Sequence, residues 1–183
     1  MPILGTLASS VQKITGAFES IATATANGSQ STITFSSIPS TYQHLQLRIL
    51  ASGGSVMLLR LNNDSGASKY RSHALIAQGA SVYTEAPAAN TFIKCHFQTS
   101  LGAGNNYPSA AIIDIQDYVS TVRNKTVRLF FGKEDNGTAS GSVELNSGLW
   151  IDTSAVNRID LINDGGSFFD SGSTFSLYGI KGA

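Results

Sequence analysis

The sequence is poor in charged residues, which make up 13% of its 183 residues, about half the usual share of a globular protein. Twelve lysine and arginine residues balance twelve aspartate and glutamate residues, so the net charge at neutral pH is zero. Domains that bind nucleic acids carry a basic excess or a basic stripe. Neither is present in this sequence, and we therefore expect no nucleic-acid partner.

Cysteine is also scarce, because Cys95 is the only one in the chain. A single cysteine excludes an intrachain disulfide and a metal site built from several thiolates. The surrounding run TFIKCHFQTS alternates in the manner of a strand, which predicts a buried structural thiol. The sequence also lacks a glycine-rich nucleotide-binding signature. We expect no metal and no cofactor.

The start of the sequence, MPILGTLASSVQKI, lacks a basic stretch before its apolar residues, and its first lysine is Lys13. It is too short and too polar for a transmembrane span, and it does not match a secretory signal peptide. We therefore expect a protein that is made in a cytoplasm and does not enter a membrane.

From Phe18 onward, apolar residues recur at every second position, which is the period of a β-strand. The run HLQLRIL directs Leu45, Leu47 and Ile49 to one face, and KTVRLFF repeats the pattern. The outward positions of such runs are interpreted as polar, mainly Thr, Ser, Gln, Arg and Asn. The run VMLLRL is apolar on both faces, which is typical of a strand covered on two sides.

Clusters of Asn, Asp and Gly separate these runs at 62–66, 102–106, 134–137 and 163–166. Such residues favour tight turns because they accept a positive φ. About ten strands at this spacing are typical of a sandwich or barrel. We predict an all-β fold over 18–183, a jelly-roll-like antiparallel β-sandwich whose last strand, TFSLYGI, pairs with the first strand or within the sheet.

Residues 1–17 differ, because Leu4, Leu7, Val11 and Ile14 are spaced three, four and three apart. This spacing gives the apolar stripe of an amphipathic helix. A helix this short is marginal in water unless something covers its apolar side. We predict that residues 1–17 are an N-terminal anchoring arm that contacts a partner or another copy of the chain. A mobile tail is the alternative interpretation.

No catalytic constellation is evident in the sequence, which lacks a G-x-S-x-G nucleophile motif. Cys95 and His96 are neighbours on a predicted strand, so their side chains should point to opposite faces. Asp114 and Asp117 resemble a glycosidase carboxylate pair, but three residues apart on a strand they also face opposite ways. We expect that the protein is not an enzyme.

Two kinds of binding site are possible from residue types alone. A platform for stacking on a sugar could be formed by Trp150, Tyr70, Tyr83 and Tyr107. Trp150 lies between apolar neighbours, however, which favours burial in the core. The Asn and Asp loops offer oxygen ligands for calcium, but none has the spacing of a dedicated calcium loop. Turn chemistry is the preferred interpretation of those loops.

Several stretches give the sequence a likeness to a known family. They are FESIATAT with STITFSSIPSTYQHLQLRI, then YRSH, IIDIQDY with NKTVR, GLWIDTSAVNRIDL and FSLYGIKG. Together they span about residues 18–182 and resemble small virion structural proteins of tailed phages, which are abundant in phages of aquatic bacteria. The most specific parts are SSIPSTYQHLQLR and FSLYGIKG.

The resemblance implies a jelly-roll-like domain on the surface of a phage particle, made in the host cytoplasm, and it supplies no catalytic residues. The leading hypothesis is a capsid decoration, or cement, protein that binds the major capsid protein or another virion protein. The alternative is a receptor-binding or glycan-binding tip of a head or tail fibre. Exposed strand edges favour a closed homo-oligomer, and the resemblance implies a trimer.

Overall fold

The computed structural model describes residues 16–87, 89–97, 101–102, 106–134 and 141–182. Within these ranges the secondary structure is twelve β-strands and one short 3₁₀ turn, Asp164–Gly166. No helix in the described ranges is long and apolar enough to cross a membrane. The strands, in chain order, are β1 (Phe18–Thr25), β2 (Thr32–Phe35), β3 (His44–Ala51), β4 (Met57–Leu61), β5 (Tyr70–Gln78), β6 (Ser81–Glu85), β7 (Ile93–Lys94), β8 (Ser109–Ile115), β9 (Lys125–Lys133), β10 (Ser142–Trp150), β11 (Ile159–Asn163) and β12 (Thr174–Ile180).

The strands form two antiparallel sheets. The larger sheet has eight strands in the order β1-β12-β3-β8-β9-β10-β5-β6, and the smaller has four in the order β2-β11-β4-β7. Eight of the strands form four nested pairs, which alternate between the two sheets as the strands of a jelly roll do. The pairs are β1 with β12, β2 with β11, β3 with β8 and β4 with β7. The predicted all-β, jelly-roll-like sandwich is confirmed.

Two hairpins are inserted into this framework and raise the eight strands of the jelly roll to the twelve of the described ranges. β5 and β6 lie between β4 and β7 in the chain, and β9 and β10 lie between β8 and β11. Both hairpins extend the larger sheet beyond β8, with β9 and β10 next to β8 and then β5 and β6 at the edge. The larger sheet is therefore twice as wide as the smaller one.

The core lies between the sheets and contains the inward residues that the alternation predicts. Leu45, Leu47 and Ile49 of β3 are buried, and they belong to one apolar cluster that also includes Leu59 and Leu61 of β4. All but one residue of β4 are buried, as expected for a strand covered on two sides. The predicted strand period is thus confirmed where it faces the core.

The last strand closes the larger sheet, as predicted, because β12 pairs with both β1 and β3. Gly179 of β12 allows the ring of Tyr42 to pack directly on the backbone, since a Cβ at this position would lie 2.3 Å from the ring. The Tyr42 hydroxyl donates a hydrogen bond to Glu19 of β1 at 3.0 Å. Glu19 also pairs with Lys181 at 2.6 Å, so side chains as well as backbone tie the two ends of the domain together.

Some sequence predictions concern residues outside the described ranges. The proposed anchor residues of the arm are among them, as is the Asn-Gly turn between β9 and β10. The last residue of the arm, Ala17, lies beside an edge of the larger sheet, because its carbonyl accepts a hydrogen bond from the Lys181 amide at 3.0 Å and β1 is the outermost strand there. The anchor residues that lie outside the described ranges are Leu4, Leu7, Val11 and Ile14.

Candidate functional site: an apolar sheet face

The outer face of the larger sheet carries two adjacent rows of apolar residues across β8, β9, β10 and β5. In strand register, one residue of each strand contributes to each row. The large row consists of Ile112, Phe130, Leu145 and Leu75. The small row, two residues away along each strand, consists of Ala110, Gly132, Val143 and Ala77.

The large row is accessible to solvent. Exposure is 40% for Ile112, 49% for Phe130, 55% for Leu145 and 48% for Leu75, whereas the inward neighbours Ile113 and Phe131 are fully buried. Leu50 of β3 and Val82 of β6 extend the small row at its two ends and are also exposed. A contiguous apolar area of this kind marks an interaction surface more often than isolated exposed side chains do.

This face corrects the expectation that outward positions are polar. Three of the four strands have two large apolar residues in succession, Ile112–Ile113, Phe130–Phe131 and Leu75–Ile76. Successive side chains of a strand point to opposite faces, so one residue of each pair enters the core and the other faces outward. The doubled apolar residues were therefore a signal for this surface, similar to the one interpreted correctly in VMLLRL.

Polar and charged side chains border the two rows. Beyond the large row lie Asp114 and Arg128 on neighbouring strands, and Asp114 accepts a hydrogen bond from Gln46 at 2.8 Å. The Arg48 guanidinium lies 5.5 Å from the centre of the Tyr178 ring, a distance typical of a cation–π contact. The apolar area therefore has a polar rim, as protein interfaces commonly do.

The four aromatic residues proposed as a sugar platform are not brought together as one surface. Trp150 is 1% exposed and Tyr70 is fully buried, and their rings stack on each other with centroids 6.4 Å apart. Burial removes both ring faces from solvent, which corrects their assignment as glycan contacts. Tyr83 on the edge strand β6 and Tyr107 before β8 are each 37% exposed and keep accessible ring surface.

The loop at 62–66 uses its oxygen atoms to hold a turn. Asp64 accepts hydrogen bonds from the Gly66 amide at 2.8 Å and from the Trp150 indole at 2.8 Å. Asn62 accepts from the Asn157 amide at 2.9 Å, and Asn62 and Asn63 both have positive φ. Across the described ranges, no three His, Cys, Asp or Glu side chains are grouped as metal ligands. The turn interpretation of this loop is supported.

Asp114 and Asp117 are also separated by the fold. Asp114 lies on the outer face of β8, whereas Asp117 lies in the turn that follows, with φ of 48°. Asp117 contacts Arg123 at 3.4 Å, and its backbone amide donates to His44 Nδ1 at 2.9 Å. These contacts are those of a turn residue and a sheet-face residue.

Cys95 and His96 lie side by side in a buried segment that covers the inner face of β10. The His96 ring stacks on Phe131 with centroids 4.5 Å apart, and its Nε2 accepts a hydrogen bond from the Met57 amide at 2.9 Å. Asn146 of β10 donates to the Cys95 carbonyl at 2.9 Å. Burial, reinforced by the charge of Glu144, raises the pKa of the Cys95 thiol. A protonated, buried thiol is a poor nucleophile, so this segment has a structural role.

The buried His96 should make the fold sensitive to acid. Burial, followed by the charges of Lys133 and Lys94, lowers the pKa of His96 from 6.5 to about 3. Between pH 6.5 and about pH 3, the unfolded chain binds a proton at His96 that the folded chain does not bind. The free energy of unfolding should therefore fall as the pH drops from 6.5 towards 3, by up to about 1.4 kcal/mol per pH unit.

Urea titrations at pH 7, 6, 5 and 4 test this expectation. His96→Gln keeps an acceptor for the Met57 amide and should remove this part of the pH dependence. His73→Gln, at an exposed position of β5, is the matched control and should behave as the wild type does. Parallel pH profiles for the wild type and His96→Gln would contradict the assignment.

No protein-family model, curated protein or solved structure matches this chain significantly. The fold and the exposed face thus define the class of protein as a jelly-roll β-sandwich with an apolar sheet face.

Proposed function

We propose that the chain is a structural subunit of a tailed-phage virion, specifically a capsid decoration protein on the particle surface. The observation that carries the proposal is the exposed apolar face of the larger sheet, which is the kind of surface that an assembly subunit presents. Jelly rolls serve in capsid and lectin domains alike, so the fold alone does not choose between uses. The resemblance in the sequence supplies the virion setting, and the proposal includes no catalytic step.

In this proposal the arm docks the subunit on the major capsid protein or another virion protein. The arm joins the sandwich at the β1 edge of the larger sheet, and the β9–β10 and β5–β6 hairpins lie towards the opposite edge, so we expect docking to leave the apolar face free. Each arm side chain contributes roughly 1.5–3 kcal/mol when fully buried, which offsets the cost of ordering the segment. Several arms in a homo-oligomer add avidity.

Binding to particles tests the arm. The double variant Leu7→Asp and Val11→Asp places two charges on the apolar stripe, and we expect it to abolish co-sedimentation with capsids that lack the protein. Thr6→Asp with Ser10→Asp is the matched control, because it adds the same charges at the same spacing outside the stripe. Deletion of residues 1–15 leaves every strand in place and should have the effect of the stripe variant.

Circular dichroism establishes that each variant is folded. Full occupancy of capsids by the truncated chain would show that the arm is not the anchor. Absence of the chain from purified virions would contradict the virion assignment altogether.

A receptor-binding or glycan-binding fibre tip is the second candidate, and the exposed rings of Tyr83 and Tyr107 are the observation in its favour. Stoichiometry in purified virions separates the two. A decoration protein should be present at a copy number comparable with that of the major capsid protein, whereas a fibre tip should be present in a few copies per particle.

A further inference from the structure

The large and small rows have complementary shapes on one face of one subunit. We propose that this face joins two copies of the chain about a two-fold axis, with the large row of each copy seated on the small row of the other. The inference rests on the proposed assembly role of the face and not on the virion setting. A dimer in solution and attachment to capsids can therefore fail independently.

The symmetry follows from the order of the rows. Two sheet faces that pack on each other can be related by an axis that lies between them and runs across the strands. If that axis passes between the two rows, each strand lies over its own copy in the opposite direction. Phe130 then lies over the partner's Gly132, and Ile112 lies over the partner's Ala110. Such a contact is isologous and closed, so this face joins two copies and not the three that the resemblance implies.

Space for the Phe130 ring is present at Gly132. A Cβ built on Gly132 meets no atom within 4 Å, so the surface above this residue is open. Packed sheets lie about 10 Å apart, a distance at which large side chains must interdigitate with small ones. In the proposed arrangement Phe130, Ile112 and Leu75 lie over Gly132, Ala110 and Ala77, which meets this requirement. Leu145 lies over Val143, the one larger member of the small row.

The rim charges favour the same arrangement. Arg128 lies two residues before Phe130 on β9, and Glu134 lies two residues after Gly132, with both side chains exposed. The proposed axis places Arg128 of each copy over the partner's Glu134, which gives two pairs of opposite charge. An axis parallel to β9 would instead place Arg128 over Arg128 and the large row over itself, and like charges opposed in this way are disfavoured.

The apolar area suits a dimer. Half-exposed side chains of this size present on the order of 80 Å² each, so the four residues of the large row together with Val143, Leu50 and Val82 present roughly 550 Å². A standard interface buries about 800 Å² per partner, and the stems of the bordering Arg48 and Arg128 lie next to this area. The zero net charge of the chain adds little long-range repulsion between copies.

Sedimentation and light scattering of the full chain over a range of concentrations test the proposal. We expect a dimer at micromolar concentration. Gly132→Phe adds a large side chain to the small row at a position where a Cβ meets no atom within 4 Å, and it should weaken the dimer on the order of 100-fold. Exchanging both residues, as Phe130→Gly with Gly132→Phe, seats the new large residue over the new small one and should restore dimerisation.

A second pair of variants tests whether opposite charges pair across the interface. These variants do not change the apolar rows, so their effect is independent of any packing defect. Arg128→Glu should weaken the dimer, and adding Glu134→Arg should recover it. Val122→Asp is the control, because Val122 is 81% exposed in the turn between β8 and β9 and should leave the dimer unchanged. Circular dichroism checks that every variant is folded.

Three results would overturn the proposal. The first is a chain that stays monomeric at about 100 μM, well above micromolar dissociation constants. The second is a dimer or trimer that Gly132→Phe and Arg128→Glu leave intact, and the third is an oligomer that dissociates when residues 1–15 are deleted but not in the face variants. The last result would assign the oligomer to the arm.

Discussion

Replacing Trp150 by alanine should lower the free energy of unfolding by about 3–5 kcal/mol, the usual range for a large aromatic residue lost from a core. The side chain is 1% exposed and stacks on the Tyr70 ring. Its indole nitrogen donates to Asp64 at 2.8 Å, so truncation would also deprive a turn carboxylate of a donor. The turn between β4 and β5 and the end of β10 should loosen together.

Urea titration measures this loss, and two variants define its origin. Trp150→Phe keeps one aromatic ring and loses the hydrogen bond together with part of the indole volume, so it should fall between the wild type and Trp150→Ala. Val122→Ala, at a position 81% exposed, should stay within about 0.5 kcal/mol of the wild type. A loss below about 1 kcal/mol for Trp150→Ala, the typical size for an average substitution, would show that the core tolerates a cavity at this corner.

Replacing Lys125 by methionine should cost about 3 kcal/mol, because three backbone carbonyls that the buried lysine holds lose their donor at once. Lys125 is fully buried, and its ammonium donates to the carbonyls of Ser120, Arg123 and Thr153 at 2.7, 2.8 and 3.2 Å. An ammonium has three hydrogens, and each has an acceptor here. Burial lowers the pKa of Lys125, and the charges of Asp152 and Asp117 act in the opposite direction.

Methionine has nearly the same length as lysine, so this variant isolates the loss of the donor from the loss of volume. Hydrogen exchange should accelerate in the turn between β8 and β9, which the ammonium ties to the segment after β10. Lys181→Met removes a partly exposed ion pair with Glu19 and should cost at most about 1 kcal/mol. Equal losses for the two lysine variants would contradict the role given to Lys125.

The part of the fold that faces the core was predictable from the sequence. Leu45, Leu47 and Ile49 are inward in the structure because one face of β3 must be buried and side chains alternate along a strand. The same parity in KTVRLFF places Lys125 inward with Val127. A lysine at an inward position signals a site lined with acceptors, since a buried ammonium requires them.

The candidate site was less accessible from the sequence, for a physical reason. The large row forms one surface only when four strands pair in a particular register. The order of residues along the chain does not specify that register. The residues concerned are Ile112, Phe130, Leu145 and Leu75. β6 was not recognisable because all of its residues are exposed, and such a strand gives no periodic apolar signal. The alternation in TFIKCHFQTS predicted a longer strand than the structure has, because β7 ends at Lys94 and the next two residues, Cys95 and His96, are both buried.

The nested pairing of the jelly roll also sets the order in which the chain can fold. β4 and β7 are separated by the shortest stretch of the four nested pairs, and each later pair encloses the one before it. Closing the inner pairs first shortens the effective loop that the outer pairs must close, and so lowers the entropic barrier to each. Phe18 cannot meet Ile180 until nearly the whole domain has been synthesised. During that wait β1, with the sequence FESIATAT, exposes few large apolar side chains, which protects the nascent chain from aggregation while its partner strand is still to come.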